Sequence, residues 1–158
     1  MEKYGVKMYC VLAVLLSTLL IPVVQATPPT TVEGKWSYLM TVDSARLAGG
    51  NLFLKVTETG IWEGGFEGTS TMVVSGVLHS NGYLNFQGVI YFDGSVLGKV
   101  GTLVISYTGK VTPTSEIISQ WVIQSGTGGL ANLRGQGTFS GVGAIDLLYS
   151  GQVHFKPD

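Results

Sequence analysis

From Lys35 the chain alternates apolar and polar residues with a period of two. Trp36, Tyr38, Met40 and Val42 fall on one face, with Lys35, Ser37 and Thr41 on the other. That period marks a half-buried strand. A turn is predicted over residues 43–50, and a second strand over 51–58 with Leu52, Leu54 and Val56 on its apolar face, ended by Thr59-Gly60. Residues 61–78 exceed an ordinary strand and carry Gly64-Gly65, Gly68 and Gly76. This reads as one long coiled strand or two pieces with bulges. His79-Ser80-Asn81-Gly82 is a hairpin signal, since Asn-Gly suits a type I′ turn. Strands over 83–92 and 100–108 follow, separated by an Asp93-Gly94 turn, and Gly109-Lys110 with Pro113 marks the next loop.

Residues 117–125 set Ile117, Trp121 and Ile123 against Gln120 and Gln124. A short strand or edge follows at 135–141. The clearest alternation closes the chain: Ile145, Leu147, Tyr149, Val153 and Phe155 against Asp146, Ser150, Gln152 and His154. No stretch of ten residues has a helical period. Seven to nine antiparallel strands with short turns predict an all-β protein, a sandwich or a closed barrel. The long glycine-bent strands point to a single antiparallel β-barrel of about eight strands, because closure needs strong coiling and removes exposed edges.

Residues 125–137, Ser-Gly-Thr-Gly-Gly-Leu-Ala-Asn-Leu-Arg-Gly-Gln-Gly, join two of these strands through a run of glycines with a small apolar plug, Leu130-Ala131-Asn132-Leu133. A phosphate-binding loop would need a helix directly after it. Gln136-Gly137-Thr138-Phe139 is not one, so the segment reads as a structural corner. Arg134 is expected to bond loop carbonyls there, or to meet an anionic ligand head.

Composition narrows the choices. Charged residues are 12% of the chain, about half the ~25% usual in globular domains, and glycine is about twice its usual share. The net charge is −1 with no basic run, which argues against nucleic acid as a partner. Lys3 and Lys7 precede an apolar run over 8–24 that ends near Val24-Gln25-Ala26. This is the pattern of a secretory signal peptide cleaved after Ala26; an uncleaved anchor is the alternative. The expected organisation is therefore a signal peptide at 1–26, a proline-bearing linker at 27–32 and a barrel domain at 33–158. The product would be secreted, extracellular or periplasmic, without stable membrane insertion once the signal is cleaved. Cys10, the single cysteine, lies inside the signal region, so the mature core would hold without disulfides.

Glu67 stands between glycines in a bent apolar strand. Pointing inward, its carboxyl would gain a raised pKa and anchor a ligand or donate a proton. Its parity with Glu63, Thr69 and Thr71 reads instead as a solvated outer face. Glu58, Glu63 and Glu67 do not make an acid/base pair by spacing. Asn85 and Gln87 share a face with Tyr83, Val89 and Tyr91. With Trp36, Tyr38 and Trp121 on other strands, they are candidate walls of an amphipathic pocket; core filling is the plainer role for the aromatics. His79 and His154 lie apart, so neither a metal site nor a histidine-based triad is expected. No cofactor is implied.

The loop Ser125-Gly126-Thr127-Gly128-Gly129-Leu130 with Ala131-Asn132-Leu133-Arg134-Gly135 resembles a signature of the allene oxide cyclase and dirigent superfamily. Phe66-Glu67-Gly68-Thr69-Ser70, Asp93-Gly94…Gly98…Gly101-Thr102 and Tyr149-Ser150-Gly151 look closer still to a bacterial secreted family of unknown function with that barrel. The resemblance spans residues 32–155. It implies an eight-stranded barrel with a cavity, often oligomeric, but its cyclase glutamate, asparagines and bound water have no residue-by-residue match here. The expected function is binding of a small apolar or amphipathic molecule without catalysis. The alternatives are a cyclase or isomerase, with Glu67 or the Asn85/Gln87 face supplying polar groups, and a dirigent-like structural module acting as a homo-oligomer.

Overall fold

The computed structural model describes residues 28–143 and 146–157; the expected signal peptide lies outside the described residues. Eight strands follow in order: β1 (Thr30–Ala48), β2 (Asn51–Gly64), β3 (Phe66–Leu78), β4 (Leu84–Val96), β5 (Lys99–Val111), β6 (Glu116–Gly126), β7 (Leu133–Val142) and β8 (Asp146–Phe155). Each pairs antiparallel with the next, and β8 returns to β1 to close a barrel. The all-β barrel expected from the alternation is the fold observed. Among the described residues no helix is long and apolar enough to cross a membrane.

The strands run longer than their patterns suggested. β1 starts at Thr30, inside the expected linker, where Thr30 pairs with Val153. It does not turn at Asp43 but bulges there: Val42 opposes Val56 and Ser44 opposes Lys55. The bulge reverses the inside/outside parity of everything after it, and the alternation read from the sequence breaks off there. The Asp43 carboxylate accepts a bond from Thr57 Oγ1 at 2.8 Å. Thr59-Gly60, Asp93-Gly94 and Gly109-Lys110 also lie within strands rather than turns.

Gly60 shows why. A Cβ built there would sit 2.1 Å from the indole Nε1 of Trp36, so glycine admits a ring flat against the sheet. Trp121 lies likewise over Gly137 and Gly151, where a Cβ would meet its ring at 2.4 and 2.3 Å. In these strands glycine makes room for inward aromatics.

The interior divides along the barrel axis. One end carries the β2–β3, β4–β5 and β6–β7 connections and both ends of the described chain. Phe66, Val96, Leu130, Leu133 and Val153 are all buried there. Leu130 arrives on a single 3-10 turn, Gly128–Leu130, and the predicted apolar plug is thus a stopper in the barrel. Thr127 ties the loop to β5 by donating its N–H to Thr102 O at 2.9 Å. Arg134 donates to Ala131 O and Leu133 O at 3.1 and 2.6 Å, the structural role expected of it. Above the plug lies an aromatic layer of Trp36, Trp62, Phe66, Phe92, Trp121, Phe139 and Tyr149. Trp62 donates its indole N–H to buried Ser70 at 2.9 Å. Tyr149 pins the β2–β3 hairpin: its hydroxyl accepts from Phe66 N–H at 2.8 Å and donates to Glu63 O at 3.0 Å.

Candidate functional site

Beyond the aromatic layer, toward the opposite end, side chains no longer fill the barrel. A cavity of about 380 Å³ remains. An eight-stranded barrel is just wide enough to pack solid or to hold one small ligand, so a void of this size reflects the residues that line it. β3 contributes only Val74 and Gly76, and β6 only Ile117 and Ser119, where bulkier chains would have closed the space. Met40 and Val42, exposed by 55% and 52%, form the lip on β1. Among the described residues β1 pairs with β8 only as far as Ser37, and this leaves the lip projecting.

The walls are aliphatic and aromatic. Trp36 stacks on Tyr38 with centroids 4.2 Å apart and planes within 8°. Phe86 meets Tyr107 at 5.5 Å, and Phe139 contacts Trp36 at 5.9 Å. Into this surface projects one carboxyl group, that of Glu58 on β2. Its cross-strand neighbours are Met40 on β1 and Met72 on β3. No described residue gives it a hydrogen bond or an ion pair. Burial against apolar walls raises its pKa from 4.5 to about 7, because desolvation penalises the charged form. Burial, and then the nearby Glu58 charge, lift Tyr38 to about 12. Tyr107 is raised for the same reasons, burial first and Glu58 second. Among the described residues no lysine, arginine or histidine lines the cavity.

Of the residues singled out from sequence, Trp36 and Tyr38 line this cavity. Trp121 is interior but belongs to the packed layer, edge-on to Phe66 at 5.7 Å. Glu67, Asn85, Gln87 and Tyr91 are exposed and point away from the interior. Asn85 meets His79 Nε2 at 3.1 Å, and His79 Nδ1 meets Asn51 at 3.1 Å. Asn85 and Gln87 border an outer hollow of about 650 Å³ with Arg46 and Phe53. Tyr91 borders another of about 630 Å³ with Leu39 and Ile61. Tyr38 reaches the second of these hollows as well, but among the described residues neither hollow is lined by a buried carboxyl group. Arg134 sits at the plugged end.

Sequence reasoning missed Glu58 as a site residue. The signal was present: Leu52, Leu54, Val56, Glu58, Gly60 and Trp62 share one parity, and ending the strand at Thr59 hid the acid within it. Among the described residues no group of three or more acidic, histidine or cysteine side chains is placed to hold a metal ion.

The family model described as "Protein of unknown function (DUF3224)" matches residues 33–149. A crystal structure of a protein of unknown function from the same family, from Shewanella oneidensis MR-1, superposes with a TM-score of 0.71 at 20% identity. It covers 82% of this chain and 99% of its own. At that identity the likeness shows the fold. No curated protein matches the sequence.

Proposed function

The chain belongs to the DUF3224 family, and we propose that its barrel is a binding protein for one small, mainly apolar molecule that carries a polar head. The observation that carries this reading is Glu58: a lone carboxyl, with no hydrogen-bond or ion-pair partner among the described residues, facing a mainly apolar cavity. Burying an ionisable group uncompensated is costly. A cavity of about 380 Å³ lies in the size range of small-molecule sites, where a few polar groups orient a ligand held by apolar walls. Paired with the secretory leader expected at residues 1–26, the reading describes a carrier or scavenger acting outside the cytoplasm.

A second reading draws on the same carboxyl. An acid that titrates near neutrality suits proton transfer, and this supports cyclase or isomerase chemistry of the allene oxide cyclase type. The raised phenols of Tyr38 and Tyr107, the Ser115 and Ser119 hydroxyls and the unpartnered Trp36 indole N–H accompany it, but no second carboxyl and no histidine, lysine or arginine does among the described cavity residues. Binding is therefore the stronger conclusion.

The test is titration with N-phenyl-1-naphthylamine, whose fluorescence rises in apolar surroundings. The expected result is saturable one-to-one binding, lost in Val111→Trp, which places an indole in the cavity. Equal binding by that variant, still folded by circular dichroism, would overturn the assignment.

A further inference from the structure

The reading above leaves the ligand's head group open, and the cavity's charge balance narrows it. Five aromatic rings enclose the space: Trp36, Tyr38, Phe86, Tyr107 and Phe139. They touch in a chain, Tyr38 on Trp36, Trp36 near Phe139, Phe139 near Tyr107 at 6.4 Å, and Tyr107 near Phe86. Ring faces carry negative quadrupole density and attract cations, more strongly where water is excluded. Among the described residues one carboxyl joins them, and no basic side chain lines the cavity to neutralise it. An anionic head would meet a carboxylate and ring faces with no cation to receive it. A neutral head can donate a hydrogen bond to the carboxylate but leaves its charge uncompensated.

Resting on the binding reading, we propose that the cavity recognises a hydrophobic ammonium ion, its cationic centre held between the Glu58 carboxylate and the surrounding aromatic rings. The apolar body then lies along Val56, Val74 and Leu147 toward the Met40/Val42 lip. The proposal carries a pH dependence. The groups facing Glu58 are Tyr38 from β1 and Tyr107 from β5, both uncharged across the neutral range since burial raises their pKa values. Met40 and Met72 flank it across the strands, and no other titratable side chain lines the cavity among the described residues. Binding of a permanently charged ammonium should therefore strengthen as pH rises through Glu58's own titration.

Isothermal titration with hexyltrimethylammonium, heptan-1-ol and heptanoate, at pH 5 and pH 8, tests this. The expected result is that the ammonium binds about tenfold or more tighter than the alcohol at pH 8, as a charge pair and ring contacts together imply. That preference should shrink at pH 5 and vanish in Glu58→Gln, while the alcohol binds wild type and variant alike. If the alcohol matches the ammonium, or heptanoate exceeds both, the cation assignment is overturned and the binding reading stands. If none binds, both fall together.

Discussion

Glu58 makes a prediction about stability that needs no ligand. The carboxyl moves from 4.5 in the open chain to about 7 in the fold. At about 1.4 kcal/mol per pKa unit, ionised Glu58 would cost the fold about 3 kcal/mol. Water entering past the Met40/Val42 lip screens part of this, so about 2 kcal/mol is the expected net cost. The sign follows from proton linkage. Below 4.5 both states keep the proton and Glu58 contributes nothing. Between 4.5 and about 7 the unfolded chain releases its proton while the fold retains it, so stability falls. Above that range both are ionised and the loss is complete. Glu58→Gln keeps the shape and removes the titration. Urea unfolding of both proteins, with equal m-values confirming a common transition, should show similar stability at pH 4. At pH 8 Glu58→Gln should be more stable by about 2 kcal/mol. A wild type to variant difference that stays constant from pH 4 to pH 8 would refute a desolvated carboxyl at this position.

Two further substitutions probe the frame around the cavity. Tyr149→Phe removes the hydroxyl that joins β8 to the β2–β3 hairpin, leaving the buried Phe66 N–H unpaired; a loss of about 1–3 kcal/mol by urea unfolding is expected. Leu130→Ala empties the plug, where Leu130 is wholly buried, and should cost about 2–5 kcal/mol in the same assay while leaving N-phenyl-1-naphthylamine affinity nearly unchanged, because the plug lies across the aromatic layer from the cavity.

The barrel was legible because most strands keep strict alternation. Ile117, Trp121 and Ile123 on β6 share the buried face, set against Gln120 and Gln124 as their period predicted. Turn positions were less legible, and the cause is physical. Glycine serves both turns and close approach, and Gly60, Gly94 and Gly109 serve the second. A Cβ at Gly94 would meet Glu67 O at 2.2 Å, and one at Gly109 would meet Ser119 Cβ at 2.3 Å. The actual β4–β5 turn uses Leu97 and Gly98, with φ of 51° and 77°, and no Asn-Gly or Asp-Gly pair marks it. Of the site, Trp36 and Tyr38 were found because their aromatic face was continuous. Asn85, Gln87 and Tyr91 share a face as read, but parity alone does not say which face is inside, and theirs is the outer one.

On the proposed function the interior cavity, and not the outer hollows, receives the ligand. Methyl-resolved NMR during titration with N-phenyl-1-naphthylamine tests it most directly. Shifts are expected at cavity methyls, among them Met40, Val56, Val74, Val111 and Leu147, with Leu130, Leu133 and Val96 at the plugged end unmoved. Shifts at Leu39 and Ile61, with the cavity methyls silent, would contradict it.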